Sequence, residues 1–301
     1  PVIPLLPHAE RSVISDYLER EQPTLQAHES ADPLQSLQMV WGNGEEFVSG
    51  SASIGNFRSG SLSDGVLPTG PGPMSYDTFF YGAQGTVGVV TWGVTSYEVK
   101  PTLSKAWFIP ADDPEALVEP MYKILRAGVT SEHLLLNNVN LATILAERWP
   151  DDFEQIRAAL PPWIAVMVVR SLKYRPEEKM AYSNGAIEEI MRNSFRELDL
   201  LETLPGVPAA ERKLCEMLRA PWPKERPYWK HALRGCGEDL QMITTLDRIN
   251  WYIPAVMEVA AEAGYSQSDV GVYVQPLHDG HACEITFSFP YDPNDEMEMA
   301  L

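Results

Sequence analysis

Residues 270–289 read VGVYVQPLHDGHACEITFSF, and their alternation decides the fold class. Val270, Val272 and Val274 fall on one face of a strand, Tyr273 and Gln275 on the other. In the second half Cys283, Ile285, Phe287 and Phe289 alternate with Glu284, Thr286 and Ser288. An Asp279-Gly280 turn signal lies between the halves. Two such segments predict an antiparallel hairpin, with Tyr273, Gln275, Glu284 and Thr286 on one sheet face. A phenol, an amide and a carboxylate grouped this way can orient a polar substrate. A solvated face, common in antiparallel sheets, is the plainer reading.

Working outward, DLQMITTL (239–246) reads as a strand and NWYIPAVMEVAAEAG (250–264) as a helix, giving a β-α-β-β order up to residue 289. Earlier, TLSKAWFIP (102–110) and WIAVMVVRSL (163–172) are strand-like. Between them DDPEALVEPMYKILRAG (112–128) is a helix with acidic residues in its first turn and Gly128 at its end. Two short helices are expected over 140–160, a longer one from Pro176, and another over Ala209–Arg219. Strands alternating with helices yet joined by a hairpin predict an α+β fold, a mainly antiparallel sheet with helices on one face. Ahead of this region, Ser12–Glu21 suits a short helix, and residues 34–44 and 45–52 suit two strands around Gly42-Asn43-Gly44. Residues 55–76, rich in Gly, Ser and Pro, read as a long loop, and VGVVTWGVTSYEV (87–99) as a strand ended by Pro101.

The chain has 301 residues with 42 acidic against 23 basic side chains, a net charge of -19. That balance argues against nucleic acid as a partner, since phosphate neutralisation needs a cationic surface. No stretch approaches the length of an apolar membrane span, and PVIPLLPHAERSVIS lacks the basic region of a signal peptide. Cys215, Cys236 and Cys283 are too few and too scattered for a disulfide framework or a zinc site. A reducing, cytoplasmic setting is the expectation.

Residues 81–91, YGAQGTVGVVT, hold Gly82, Gly85 and Gly88 at a spacing of three. The spacing is not that of a Rossmann fingerprint, and no Gly-Lys-Ser/Thr follows as in a Walker loop. What remains is a backbone that a ligand can approach closely, or a tight turn where Gly satisfies a positive φ. Pattern alone prefers the turn. His278, His281 and Glu284 invite a metal reading, but their spacing clusters ligands on a helix, not in a turn entering a strand. No Gly-x-Ser-x-Gly elbow and no His-Glu-x-x-His or Cys-x-x-Cys motif occurs. Trp163, Trp222, Trp229 and Trp251 read by default as core or Pro-stacked side chains.

Three stretches together resemble the FAD-linked oxidases of the vanillyl-alcohol oxidase and p-cresol methylhydroxylase family. They are GAQGTVGVVTWGVTSYEVKP (82–101), WGNGEEFVSGSA (41–52) and DVGVYVQPLHDGHACEITFSFPYDP (269–293). The resemblance implies an α+β fold in which residues 1–100 form the C-terminal part of an FAD-binding domain and 101–301 a substrate cap, incomplete at its C-terminus. It implies FAD as cofactor, lined by Gly82, Gln84, Gly85, Thr86, Gly88, Val90 and Thr91. Backbone amides can serve such a ligand without Lys or Arg. Tyr273, Gln275, His278 and Glu284 would face a small-molecule substrate, an alcohol, phenol or hydroxy acid giving a hydride to the flavin.

The family's glycine-rich pyrophosphate loop has no counterpart ahead of Pro1, so a companion chain or a further region is expected to carry it. Related hydroxy-acid dehydrogenases hold a metal with two histidines around a Gly-Asp-Gly-Asn turn. Here the turn is His278-Asp279-Gly280-His281, with Cys283 near the second histidine's place, so no metal is assigned. A homo-oligomer is expected. The alternative function is a non-catalytic, cap-like binding or assembly subunit that has lost its flavin. A metal hydrolase built on His278, His281 and Glu284 is the third reading.

Overall fold

The computed structural model describes residues 34–50, 79–80, 83, 85–95, 99–148, 150–218, 220–277 and 280–300, with Ser12, Ile14, Ser15 and Leu18. The loop expected over 55–76 lies outside the described residues. Those described fall into two compact units, one up to Lys100 and the other from Pro101.

In the first unit β1 (Leu34–Trp41) is the middle of three antiparallel strands, between β2 (Glu46–Val48) and β3 (Gly88–Thr95). The turn at Gly42–Gly44 joins the first two as its sequence predicts, with Gly44 at φ 87°. Leu37 and Met39 project from β1 into a small core with Leu18 and Phe80. Trp41, Phe47 and Phe80 pack there with ring centroids 5.5 to 5.8 Å apart. Ile14, Ser15 and Leu18 are helical, in line with the helix expected around them.

The second unit is a six-stranded sheet, antiparallel throughout, of β4 (Leu103–Ala111), β5 (Glu132–Asn137), β6 (Trp163–Ser171), β7 (Cys236–Thr244), β8 (Gly271–Leu277) and β9 (Ala282–Tyr291). Their spatial order is β4-β6-β5-β8-β9-β7. The hairpin of residues 270–289 is β8 and β9, in the register its alternation predicts: Tyr273 opposite Thr286 and Gln275 opposite Glu284. The α+β class is thereby observed.

The central strand β5 was not expected. Its six residues, EHLLLN, are all buried, so they carry no alternation, and two of them are ionisable. The register supplies the reason Glu132 is tolerated. It lies across from Val168, and Arg170 on the same face of β6 reaches both its oxygens through Nε, at 2.9 and 2.8 Å. The guanidinium also donates to Ser104 Oγ at 2.8 Å and to the Cys215 carbonyl at 3.0 Å. A buried carboxylate persists only with such full compensation.

Helices cover both faces, not one. Trp107, Ile109, Leu135, Ala165, Met167, Val272, Val274, Ile285 and Phe287 make one sheet face. They pack against α1 (Glu115–Ala127), α4 (Pro176–Ser194) and α6 (Ile249–Glu262). Helix α1 opens with Asp113 Oδ1 accepting from the Glu115 amide and closes at Gly128, φ 63°. On the opposite face Arg170 meets α5 (Ala210–Met217) at Cys215, and α2 (Asn138–Leu145) sits over Gly271. Helix α3 (Asp151–Ala159) packs on α2. A Cβ on Gly271 would come within 2.1 Å of Asn140 Oδ1, so only glycine lets that helix approach.

Candidate functional site

Asn137 fixes where the polar face begins. It caps α2 by accepting from the Asn140 amide at 3.1 Å, and the same oxygen accepts from the Val272 amide at 2.9 Å. Its Nδ2 donates to the Val270 carbonyl at 2.8 Å. One buried amide therefore ties β5, α2 and the start of β8 together. From there three cross-strand rungs descend the second face: Gly271 with Ser288, Tyr273 with Thr286, and Gln275 with Glu284. Same-face residues are two apart, so the row from Ser288 to Glu284 runs about 13 Å.

This face is dry at its centre. Gln275 is 0% exposed, Tyr273 and Thr286 are 2% exposed, and Glu284 is half-buried. The solvated-face reading is overturned at β8 and β9. It holds only at the edge strand, where Gln241 and Ile243 are exposed. Burial of polar groups on this scale calls for partners. The Tyr273 hydroxyl finds one in Gln275 Oε1. Gln275 Nε2, Thr286 Oγ1 and Ser288 Oγ find none among the described residues, and neither does Asn140 Nδ2 at the top of the row.

Burial, and secondarily the charge of Glu284, pushes the Tyr273 phenol well above its ordinary value of 10.0, so it stays a neutral donor. The nearby cations are committed elsewhere. Arg170 holds Glu132 at 2.8 Å, and Lys230 pairs with Asp239 at the rim of the face. What the rungs present is a column of neutral donors, with one carboxylate at its lower end.

Of the predicted substrate-facing residues, the fold brings together Tyr273, Gln275 and Glu284. His278 lies outside the described residues. His281 is exposed, and among the described residues no three His, Cys, Asp or Glu side chains cluster closely enough for a metal ion. Asn137, Asn140, Glu132 and Arg170 were missed. Strand register places Glu132 and Arg170, and long-range contacts of Asn137 and Asn140 with the start of β8 place the other two; no short motif signals either.

Of the residues assigned to a cofactor loop, Gly82 and Gln84 lie outside the described residues. Gly85 has φ 72°, and nothing lies within 4 Å of the point where a Cβ would stand. The Thr86 amide and hydroxyl both donate to the Ala83 carbonyl, at 2.9 and 2.6 Å. This is a tight, exposed turn. Gly88 lies in β3, where a Cβ would stand 2.4 Å from the Val40 carbonyl. Val90 pairs with Met39, and Thr91 Oγ1 donates to the Gln38 carbonyl at 3.3 Å. Gly85 and Gly88 thus each have a local structural reason of their own.

Among the described residues no helix is long and apolar enough to cross a membrane. Cys215, Cys236 and Cys283 are free thiols.

No protein-family model matches the chain, and no curated protein sequence does. Solved structures do match in fold. A 4-ethylphenol oxidase from Gulosibacter chungangensis, in complex with isoeugenol, superposes with a TM-score of 0.73 at 13% identity, over 99% of this chain and 59% of its own. A p-cresol methylhydroxylase with substrate bound gives 0.65 at 13% identity, over 95% and 56%. An alkyldihydroxyacetonephosphate synthase gives 0.54 at 10% identity, over 99% and 54%. The chain therefore spans a little over half the length of the structures it resembles, and the likeness is one of fold.

Proposed function

We propose that this chain is part of a flavin-dependent oxidoreductase that oxidises a small alcohol, phenolic or hydroxy-acid substrate. Residues 101–301 act as its substrate cap, and residues 1–100 contribute the C-terminal part of the FAD-binding domain. The observation that carries the reading is the buried polar column with its unpartnered Gln275 Nε2 and Thr286 Oγ1. A stable fold does not bury donors without return, and a bound oxygenated ligand is a return. The likeness in fold to enzymes named for 4-ethylphenol and p-cresol supports the substrate class.

The residues present suit FAD at one wall of a site. The turn at Gly85 is exposed and open on the side where a Cβ would stand, so a nucleotide can approach the backbone there. Bound there, FAD supplies the acceptor for the hydride. The chain's own residues bind and orient. Tyr273 fixes the Gln275 amide by donating to its oxygen, which turns Nε2 toward the substrate oxygen. Thr286 offers a second hydroxyl, and the Glu284 carboxylate accepts from a substrate hydroxyl. Leu134 and Leu136, on the same sheet face, keep water out.

The test is to purify the natural full-length protein, reconstitute it with FAD and record its visible spectrum. Flavin absorbance that bleaches on anaerobic addition of an alkylphenol or hydroxy acid is the expected result. A colourless protein that binds no flavin would sink the reading. If it still bound phenols at the Gln275 face, the non-catalytic alternative would stand.

A further inference from the structure

We propose that the outer stripe of α6 is a self-complementary surface through which two copies of this chain pair antiparallel. Arg248, Trp251, Ala255, Val259 and Glu262 are spaced 3-4-4-3 along the helix and its N-terminal flank. At the angular step of an α-helix they lie within roughly 80° of one another. Trp251 is 73% and Val259 64% exposed, large apolar side chains on a surface helix. The stripe is arranged symmetrically by position about Ala255, with the basic residue and the aromatic on one side, the aliphatic and the acid on the other.

A twofold axis through Ala255 would set Trp251 against Val259 and Arg248 against Glu262, each contact made twice. The small residue at the crossing lets the helices approach. The charges also run against the helix's own dipole, which favours acidic side chains at the N-terminus and basic ones at the C-terminus. Here the first turn holds no acid and the last turn no base. An antiparallel second copy reverses that disadvantage, bringing Glu262 to the N-terminal end and Arg248 to the C-terminal end. Neither side chain forms an ion pair among the described residues, although the Arg248 guanidinium lies over the Trp251 ring, 5.7 Å from its centroid, and its charge acts on Asp247.

Beside the stripe runs an apolar groove of about 720 Å³ between α6 and the open edge of the sheet, walled by Val259, Leu240, Phe289 and Met299. The two edges of the sheet differ. At β4 the edge is met by Leu201, which exchanges backbone hydrogen bonds with Phe108 at 2.9 and 2.8 Å. At β7 no such cover occurs among the described residues, and Leu240 is 45% exposed. In the antiparallel pair Trp251 of one copy stands opposite Val259 of the other, at the mouth of this groove. The groove receives the indole.

The test is sedimentation velocity on the full-length protein over a concentration series, with circular-dichroism melts to confirm that each variant folds. The wild type is expected to dimerise, and W251A to raise the dissociation constant by about tenfold or more. R248E and E262R should each weaken the dimer alone. Mixing the two single variants should restore it, because opposite charges then meet at both contacts, and the R248E/E262R double variant should restore it as well. A monomer at every concentration, single variants that assemble like the wild type, or a mixture that fails to recover would each overturn the proposal.

Discussion

The Tyr273 hydroxyl donates to Gln275 Oε1, two positions along one strand, and the Gln275 amide nitrogen beyond it is buried without a partner among the described residues. One half of the side-chain amide is therefore used by the fold and the other half is left over. Thr286, across from Tyr273, has a buried hydroxyl in the same condition.

Substitutions that separate the two halves should move stability in opposite directions. Thr286→Val removes an unpartnered hydroxyl at nearly constant volume, so stability should hold or rise by up to about 1 kcal/mol. Tyr273→Phe leaves Gln275 Oε1 buried and unserved, and should cost about 1–2 kcal/mol. Urea melts read both. In turnover, Thr286→Val should lower kcat/KM by about tenfold if its hydroxyl meets the substrate. A Thr286→Val variant that loses more than the Phe variant would show that the hydroxyl serves the fold instead.

Glu132 and Arg170 make the corresponding case for a pair that is fully used. Their side chains are 0% and 6% exposed, and each guanidinium nitrogen donates a hydrogen bond. Arg170→Ala or Glu132→Ala should each destabilise by about 3–5 kcal/mol, because each strands a buried charge. Glu132→Leu with Arg170→Met should lose much less than the sum. A double-mutant cycle in urea checks this, and strictly additive losses would contradict it.

What the sequence makes legible follows from period. The β8–β9 hairpin is visible because Val272, Val274, Ile285 and Phe287 are apolar where Tyr273, Gln275, Glu284 and Thr286 are not, and that alternation also specifies the register. Strand β5 is invisible for the complementary reason. Buried on both faces, EHLLLN has no alternation, and its Glu132 reads as polar until Arg170 is placed 38 residues on. The same limit hides the depth of the site. Alternation says that Tyr273 and Gln275 share a face, but only the helices packed on that side, α2 over Gly271 and α5 against Arg170, say that the face is covered. Asn137 caps α2, yet its oxygen also holds Val272 through a contact 135 residues away, which no local pattern in the sequence could signal.

Alkaline pH should weaken the fold through its buried thiols and phenol. Burial raises Cys215 from 9.0 to about 11 and Cys283 from 9.0 to about 12, and it raises Tyr273 above 10.0. All three are neutral in the fold. Their stabilising contribution is intact below the unfolded values, and it declines once the unfolded chain ionises while the native chain keeps its protons. Unfolding free energy should therefore fall with pH from the thiol value of 9.0 until the native groups titrate, near 11 and 12 for the two thiols. Replacing Cys283 by Ala should make that slope shallower, whatever offset the lost packing adds at neutral pH. Urea melts at a series of alkaline pH values report the slope, and an unchanged slope would mean that Cys283 does not contribute.

Gly85 and Gly88 separate the turn from the ligand in the glycine loop. At Gly88 a Cβ would sit 2.4 Å from the Val40 carbonyl and 2.7 Å from Met39 Cε, inside the pairing of β1 with β3. Gly88→Ala should therefore destabilise the first unit by about 2–3 kcal/mol through forced separation of the strands. At Gly85 the space is open and the constraint is φ 72° alone, which asparagine tolerates. Gly85→Asn should accordingly cost less than about 1 kcal/mol. That makes Gly85→Asn the informative variant. If FAD approaches the backbone there, the variant folds normally and binds flavin more weakly, which titration of the apoprotein with FAD would measure. Unaltered flavin affinity would leave Gly85 as a turn residue and move the cofactor wall elsewhere along β3.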